Sequence, residues 1–444
     1  MIEVSENLKN LASIITNAGH KVYVVGGFVR NSLLGLHIND VDLAGSMLAL
    51  DVMELAKKNG YGANTVNKKL GTVLITKDDE QYEYTTFRQE VYDDAGTHKP
   101  EEVAFVADPK IDAKRRDFTI NAFYFDIMEN KVYDFFNGEK DLKKKLLRTV
   151  VKPETVFTDD GLRILRLIRF VCELGFKPES NTIKTAKKYA FKVAGISKER
   201  ILREIKISVN GGLKYHLKNT THGLLVKYYN NLNLWQYIFG SNFKDFKIKP
   251  HGKLYRAYIK SDGSFRYIAF MCLLLNNYIK GKTSKSNAFY SVNQLLGVNG
   301  LKESNKNMQD VLNAYLFVQK FLYYNENDLL DSYSCIEYET LPFEIKNYLA
   351  ILDENKSNKL KLTIMHLKKS KVPFEEDELN VLNTELINDL KIKPEHVSKI
   401  KSSLFEMCVK GLIINDHEIL LEQAKFLNEK LLKLLHGSKQ KDNK

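Results

Sequence analysis

Cysteine is scarce in this chain: its 444 residues include only four, and no two of them form a CxxC pair. A disulfide framework or a structural zinc site is therefore not expected, and the thiols are interpreted as small buried groups in a reducing compartment. Apolar runs of membrane-spanning length and a charged-then-apolar leader pattern are also missing. We therefore expect no membrane span and no secretory signal, and a cytoplasmic location.

Acidic residues are fewer than basic ones. Lys and Arg number 67 against 55 Asp and Glu, which gives a net charge of +12. Such an excess favours a polyanionic partner, either nucleic acid or an anionic membrane, although a merely soluble lysine-rich protein has the same charge. No amphipathic helix with Trp or Phe opposite a lysine-rich face favours the membrane interpretation.

The hydrophobic pattern changes near residue 150. Earlier residues alternate between helical and strand patterns, whereas later ones are almost all helical. The predicted strands are Val22 to Val25, Asp40 to Leu43, Thr72 to Thr76, Gln81 to Phe87 and Val103 to Val106, and the predicted helices are Glu6 to Asn17, the segment ending at Leu34, and Leu48 to Asn59. Soft boundaries lie near 150, 215 and 350, and the polar residues 437–444 are predicted to be disordered.

Two carboxylates stand two positions apart in a predicted strand. Asp40 and Asp42 should point to the same face, roughly 6–7 Å apart, where they can share divalent cations. Upstream, Gly26 and Gly27 follow a strand and precede a helix, which lets backbone N–H groups approach phosphates. The Gly-Gly pair or the Asp-x-Asp pair alone more often marks a turn, but their proximity to each other favours a functional role.

A third carboxylate would hold two metal ions better. Glu83 lies in a predicted strand and is the candidate, with a solvated strand position as the alternative; Glu90, Asp93 and Asp94 compete from a predicted loop. Carboxylates together with substrate phosphates are the usual ligands of Mg²⁺. Two such ions can clamp an in-line displacement, so no protein nucleophile is required.

Five segments in order resemble the motifs of class II tRNA nucleotidyltransferases and bacterial poly(A) polymerases. They are Gly26-Gly27-Phe28-Val29-Arg30 with Asp40-Val41-Asp42, Arg115-Arg116-Asp117-Phe118-Thr119-Ile120-Asn121-Ala122, the set Asp134, Gly138, Asp141-Leu142 and Arg148, then Asp159-Asp160-Gly161-Leu162-Arg163, and Ser197-Lys198-Glu199-Arg200-Ile201 with Glu204 and Lys206. One departure is Asn31, where the family usually has Asp. No His-Asp doublet of the phosphohydrolase type appears.

The resemblance implies an α+β fold with a polymerase-β-like nucleotidyltransferase head over 1–150. All-helical neck, body and tail domains would follow over 151–215, 216–350 and 351–436. It also implies Mg²⁺-dependent addition of C, C and A to the 3′ end of tRNA from CTP and ATP, with no protein partner expected. The alternatives are a poly(A) polymerase, a specialist adding only CC or only A, and a non-catalytic RNA-binding protein.

Asp160 and Arg163 suggest how a protein could select a base. At i and i+3 of a predicted helix they share a face, where Asp accepts and Arg donates hydrogen bonds. Cytosine and adenine present an amino donor beside a ring-nitrogen acceptor, and guanine and uracil present the reverse. The pair should therefore accept C and A. The alternative is a surface ion pair at a helix start.

The resemblance extends the nucleotide-binding set. It implies that Arg116 assists base selection and that Asn121 holds the sugar hydroxyls. The predicted set is Gly26, Gly27, Arg30, Arg116, Asp117, Asn121, Asp160, Arg163, Arg166 and Arg169, of which Arg166 and Arg169 contact phosphates or simply solvate the helix. The polar segment from Arg88 to Glu102 resembles the flexible segment with which CCA-adding relatives switch from C to A.

Overall fold

The protein is described here by a computed structural model that covers residues 2–37, 40–91, 102–215 and 221–439. The chain divides into two compact units, one comprising Met1–Lys280 with Phe289–Gln309 and the other Gly281–Ala288 with Asp310–Lys444. The finer division into head, neck, body and tail stays a prediction.

A mixed seven-stranded sheet organises the N-terminal part of the first unit. Its order is β3-β4-β5-β2-β1-β8-β9. The strands are β1 (Val22–Val25), β2 (Val41–Gly45), β3 (Gly62–Asn67), β4 (Thr72–Lys77), β5 (Glu80–Thr86), β8 (Phe123–Asp126) and β9 (Lys131–Asp134). Separate two-stranded pairs are formed by β6 (Arg88–Val91) with β7 (Glu102–Phe105), and by β10 (Leu146–Leu147) with β11 (Lys177–Pro178).

The central strands are apolar and buried, which fixes their register. All four residues of β1 are buried, and β1 runs antiparallel to β2 with Val25 opposite Asp42. On its other side β2 runs parallel to β5, which places Asp42 opposite Glu83. Because a one-residue slip would turn every side chain to the other face, this burial also fixes the positions of the acidic residues.

Helices cover the sheet and form the rest of the first unit. They are α1 (Glu6–Asn17), α2 (Gly27–Leu34), α3 (Ala49–Lys58), α4 (Pro109–Lys114), α5 (Gly138–Lys143), α6 (Pro153–Asp159), α7 (Leu162–Leu174), α8 (Ser180–Lys188), α9 (Lys198–Lys214), α10 (Leu224–Asn231), α11 (Leu234–Phe239), α12 (Lys253–Lys260) and α13 (Arg266–Ile279). Trp235 is fully buried among aromatic rings that include Tyr229 and Phe270.

The remaining described residues are almost entirely helical. Two helices have residues in both units, α14 (Lys285–Leu296) and α15 (Asn305–Tyr323). The others are α16 (Glu326–Leu329), α17 (Ser332–Glu339), α18 (Phe343–Leu352), α19 (Glu354–Lys369), α20 (Asn383–Asn388), α21 (Pro394–Val409) and α22 (His417–Lys439). The last helix continues three residues into the segment predicted to be disordered, and 440–444 lie outside the described residues.

The four cysteines, Cys172, Cys272, Cys335 and Cys408, are buried and free of disulfides, as their spacing predicted. Burial raises the pKa of the Cys335 thiol to about 11. Within the described part of the chain, no helix combines the length and the apolarity needed to cross a membrane.

Candidate active site

A sharp turn joins β1 to α2. Gly26 adopts a φ of 71°, which favours glycine, and α2 begins at Gly27. A Cβ atom on Gly26 would lie 3.3 Å from Nη1 of Arg116 and 3.8 Å from Oδ2 of Asp42. The turn therefore brings the N-terminal backbone of α2 against one arginine and one of the two predicted metal-binding carboxylates.

Three carboxylates gather where β2 begins. Asp42 lies opposite Glu83 across the parallel pair, and Asp40 lies just ahead of β2, with all three side chains exposed. Although solvent reaches its side chain, desolvation by the surrounding protein raises the pKa of Asp42; Arg116 opposes this shift, while Glu83 and Asp40 reinforce it. A divalent cation would relieve this mutual repulsion, so the donor set suits Mg²⁺. No group of three His, Cys, Asp or Glu residues in the described ranges already has metal-holding geometry.

A cleft of about 1060 Å³ contains the predicted site. It is lined by Asp40 and Asp42 and by the whole predicted nucleotide-binding set: Gly26, Gly27, Arg30, Arg116, Asp117, Asn121, Asp160, Arg163, Arg166 and Arg169. Glu83 instead lines a neighbouring groove of about 990 Å³, which shares Asp40 and Asp42 with the cleft. The metal-binding and base-selecting candidates thus face one space, and the role of Glu83 stays a prediction.

Arg116 stands at the carboxylate end of this cleft. Its Nε donates to the Tyr124 hydroxyl at 3.0 Å, its guanidinium lies 5.1 Å from the centre of that ring, and Nη2 is 3.7 Å from Asp112. Despite desolvation by burial, Tyr124, Asp112 and Asp42 raise the pKa of Arg116. A permanently charged guanidinium beside Asp42 can bind a phosphate, and the predicted help of Arg116 in base selection stays a prediction.

Buried hydrogen bonds connect Arg30 on α2 to Arg166 on α7. Nη1 of Arg30 donates to Oδ1 of Asn121 at 2.6 Å, and Nδ2 of Asn121 donates to Oδ1 of Asp117 at 3.1 Å. Oδ2 of Asp117 accepts from Nε and Nη2 of Arg166 at 2.7 and 2.6 Å. Burial raises the pKa of Asp117, but Arg166 and Asn121 outweigh it and lower the value to about 2. Asp117 therefore stays ionised and fixes both neighbours.

Both the oxygen and the nitrogen of the Asn31 side-chain amide form hydrogen bonds. Its Oδ1 accepts from Nε and Nη2 of Arg30 at 3.0 and 2.9 Å. Its Nδ2 donates to the His37 carbonyl at 3.0 Å and to the Tyr215 hydroxyl, at the end of α9, at 3.1 Å. Asn31 thereby holds the chain that leads towards Asp40 and links it to α9.

The base-selecting pair does not lie on one helix, so that prediction was wrong in its geometry. Helix α7 begins at Leu162, and Asp160 precedes it with an extended backbone (φ −145°, ψ 105°). The reason is helix capping: Oδ1 of Asp160 accepts from the Leu162 N–H at 2.9 Å. Arg163 is buried, and its Nη2 donates to the Arg115 carbonyl at 2.7 Å. Both side chains nevertheless line the cleft.

Phe170 supports three arginines of the cleft. The guanidinium carbons of Arg30, Arg166 and Arg169 lie 5.3, 5.6 and 4.6 Å from its ring centre. Arg169 of α7 also pairs with Glu204 of α9 at 3.0 Å. Because Glu204 belongs to the fifth resembling segment, that segment helps to hold Arg169 in place.

The third resembling segment is structural. Oδ2 of Asp141 accepts from the Thr119 hydroxyl at 2.9 Å, and Arg148 bridges Asp141 and Glu179 at 3.1 and 2.8 Å. A Cβ on Gly138 would lie 2.5 Å from the Thr119 carbonyl. These contacts support the turn that presents Asn121.

The segment from Arg88 to Glu102 is not a loop at its ends, where β6 and β7 pair as a ribbon. Glu90, proposed as a competing metal ligand, instead bonds to Nε of Arg88 at 2.6 Å and faces Arg115 at 3.6 Å. Residues 92–101, with the competitors Asp93 and Asp94, lie outside the described residues. The switching role of this segment stays a prediction.

Sequence reasoning missed one wall of the cleft, which is formed by α9. Arg200, Arg203, Lys206, Asn210 and Lys214 line the cleft at helical spacing. The signal was present in the sequence, because these residues recur every three or four positions from Arg200 onward, and Arg200 and Lys206 belong to the fifth resembling segment.

The sequence is similar to those of known nucleotidyltransferases. Residues 22–148 match the poly A polymerase head domain family. The CCA-adding enzyme of Ligilactobacillus salivarius strain UCC118 is 32% identical in an alignment 437 positions long that covers 94% of this chain and 95% of that protein. The CCA-adding enzyme of Bacillus subtilis strain 168 is 39% identical over 198 residues, 45% of this chain and 48% of the relative.

Solved structures share the fold. The crystal structure of the Bacillus stearothermophilus CCA-adding enzyme in complex with CTP aligns with a TM-score of 0.68 at 23% identity, covering 95% of this chain and 98% of that one. A tRNA nucleotidyltransferase complexed with a primer tRNA and an incoming ATP analog aligns with a TM-score of 0.54 at 22% identity, covering 82% and 100%. The α+β architecture with a sheet-containing head and helical remainder is thereby confirmed.

Proposed function

The chain belongs to the family of CCA-adding enzymes, and from this membership we propose that its cleft adds C, C and A to the 3′ end of tRNA, using CTP and ATP. The tRNA 3′-hydroxyl loses its proton to solvent as its oxygen forms a bond to the α-phosphorus, and the bond between that phosphorus and the oxygen that bridges it to the β-phosphorus breaks, releasing pyrophosphate. The observation that carries the proposal is that Asp40 and Asp42 line the same cleft as Asp160 and Arg163.

Asp40 and Asp42 are the residues that would hold Mg²⁺, with Glu83 as a third candidate. When bound, Mg²⁺ activates the attacking hydroxyl and neutralises charge on the leaving pyrophosphate. The mutual repulsion that contributes to the raised pKa of Asp42 supports this assignment, because a cation would offset it.

The triphosphate and the sugar are assigned to different residues near the Gly26 turn. We place the phosphates at the N-terminus of α2 and at Arg116, which both stand beside Asp42. We place the sugar hydroxyls at Asn121, which Arg30 and Asp117 hold from both sides. Arg166 and Arg169 fix this arrangement through Asp117 and Glu204 and add positive charge to the cleft.

Asp160 and Arg163 would select the base. Although Asp160 precedes the helix, its carboxylate has one oxygen engaged by Leu162 and the other available as an acceptor for an exocyclic amino group. Arg163 would donate to the adjacent ring nitrogen. Guanine and uracil would leave donors facing donors and acceptors facing acceptors, at about 1–3 kcal/mol for each unsatisfied group.

An addition assay tests the function. The whole chain is incubated with Mg²⁺ and tRNA ending before CCA, with CTP alone, ATP alone and both. We expect two C residues from CTP alone, complete CCA from both, and no addition from GTP or UTP. A long A tract on any RNA would instead identify a poly(A) polymerase, and a product ending at CC would identify a CC-adding specialist. The four buried cysteines are compatible with the cytoplasmic location that we propose for this activity.

A further inference from the structure

Helix α9 presents a basic face to the cleft. Ser197 precedes the helix, and the side chains of Arg200, Arg203, Lys206, Asn210 and Lys214 recur along one side of it. Nothing in the assignment of the incoming nucleotide uses this face. Its positive charge therefore requires a separate explanation.

Most cations of the cleft already have an acidic partner. Lys206 pairs with Glu303 at 2.7 Å, Lys214 faces Glu173 at 3.8 Å, and Arg169 and Arg166 pair with Glu204 and Asp117. Arg200 and Arg203 differ: within the described ranges, neither side chain makes a hydrogen bond or an ion pair. Arg203 is exposed and Arg200 half-buried, so both guanidiniums can reach a bound anion.

The two arginines stand at the base-selecting end of the cleft. Helix α9 follows directly on residues 190–195, where the Lys192 carbonyl lies 2.7 Å from the Cβ position of Gly161, beside Asp160. The triphosphate is assigned to the other end, where Gly26 and Arg116 stand beside Asp42. An anion at Arg200 and Arg203 would thus be other phosphates than those of the nucleotide whose base lies between Asp160 and Arg163.

We propose that Arg200 and Arg203 bind backbone phosphates of the single-stranded 3′ end of the RNA primer. The inference rests on the proposed function and adds to it a subsite for the RNA strand. A second feature on the same helix face points to RNA. Oδ1 of Asn210 is shielded from solvent and has no hydrogen-bond partner in the part of the chain that the structure describes. Once a rotation of the half-buried Asn210 side chain turns this oxygen towards the cleft, a ribose 2′-hydroxyl can supply the missing donor.

The double variant Arg200→Gln/Arg203→Gln tests the subsite. Glutamine keeps helix propensity, and neither arginine makes a described hydrogen bond or ion pair, so the fold should remain intact, which a thermal unfolding curve checks. We expect the KM for tRNA lacking CCA to rise about tenfold at moderate salt, while the KM for CTP changes less than about twofold. The slope of log KM against log salt should fall by roughly 1.4, at about 0.7 for each single-strand phosphate contact.

The matched control is Lys57→Gln/Lys58→Gln, which removes the same charge from exposed positions of α3 that do not line the cleft. Its KM values should stay near those of the wild type. A rise in the KM for CTP with an unchanged KM for tRNA would assign the arginines to the triphosphate and overturn the subsite. If the two double variants raised the KM for tRNA equally, the effect would come from net charge alone, and the proposed subsite would be wrong. If wild-type protein adds no CCA, the proposed function itself fails, which the same assay reveals separately.

Discussion

Asp42 carries a charge that the folded protein disfavours. Its surroundings raise its pKa through desolvation, and the nearby Glu83 and Asp40 add repulsion that Arg116 only partly offsets. An acid whose pKa is higher in the folded than in the unfolded state destabilises the fold at pH values above its unfolded pKa. A residue with such a stability cost is typical of a binding or catalytic site, which agrees with the metal-binding role proposed for Asp42.

We therefore expect Asp42→Asn to abolish nucleotide addition, by at least about 10³-fold, and yet to leave stability at pH 7.5 without metal unchanged or raised. Thermal unfolding and the addition assay measure the two effects. Added Mg²⁺ should raise the Tm of the wild type and not that of the variant, because only the former holds the ion well. A variant less stable than the wild type would contradict the assigned electrostatics.

Asn31 shows what an amide can do that a carboxylate cannot. Its Nδ2 donates to the His37 carbonyl at 3.0 Å and to the Tyr215 hydroxyl at 3.1 Å. In Asn31→Asp an oxygen would face that carbonyl, and the tether of the chain ahead of Asp40 would be lost. We expect about 1–3 kcal/mol less stability in urea unfolding and a roughly tenfold lower kcat. Tyr215→Phe, which keeps the His37 contact, should lower kcat less, and an Asn31→Asp enzyme with wild-type kcat would refute the tether.

Hydrogen bonds and ion pairs between residues far apart in the chain could not be predicted from the sequence. The spacing of Asp40 and Asp42 is local, and both carboxylates line one cleft, although Asp40 lies just ahead of β2 and not on the strand as predicted. Asn31 and Tyr215 are joined across 184 positions, and Glu90 meets Arg115 only because β6 folds against α4. Such contacts follow from tertiary packing, which local periodicity does not encode.

Elements with strong local signals were predicted closely. The sequence placed β1 at Val22 to Val25 and ended α2 at Leu34 before Gly35, as observed, because β-branched residues and a positive-φ glycine mark these bounds. Strands β3, β8 and β9 were missed. β3 is mostly exposed and polar, and β8 and β9 lack the run of β-branched residues that marks β1.

The crossing of α7 and α9 depends on one glycine. A Cβ on Gly211 would lie 2.7 Å from the Cys172 carbonyl carbon and 2.8 Å from the Glu173 nitrogen, both backbone atoms. We expect Gly211→Ala to lower the free energy of unfolding by about 1–3 kcal/mol and to lower kcat/KM by displacing Arg169 and Glu204. Gly195→Ala is the control, since its Cβ would meet nothing within 4 Å. Equal stability of the two variants in urea unfolding would show that the helices have room to separate.

At the scale of the whole molecule, positive charge exceeds negative charge by 12. The order of a mixed head followed by helices was predictable, because strand and helix periodicities occupy separate parts of the chain. The structure groups the chain into two compact units, a division that no change in composition marks near residues 280–310.

The charge excess has a measurable consequence for tRNA binding. Raising KCl from 50 to 200 mM should weaken binding of tRNA at least about 100-fold, because phosphates bound by Lys and Arg release counterions. Binding of CTP should change less, because it contacts fewer cations. Filter binding at several salt concentrations gives both slopes. A salt-insensitive tRNA affinity would mean that base stacking or shape, and not charge, dominates the interaction.

The burial of all four cysteines leaves the folded chain without a thiol that maleimide dyes can reach. A cysteine introduced at an exposed lysine, such as Lys57 in the first unit or Lys369 in the second, would then be the sole labelling target. A variant with a cysteine at both positions would carry two fluorophores for energy-transfer measurements, and the native cysteines would stay unlabelled without being mutated. Whether the distance between the two labels changes during nucleotide addition could then be measured.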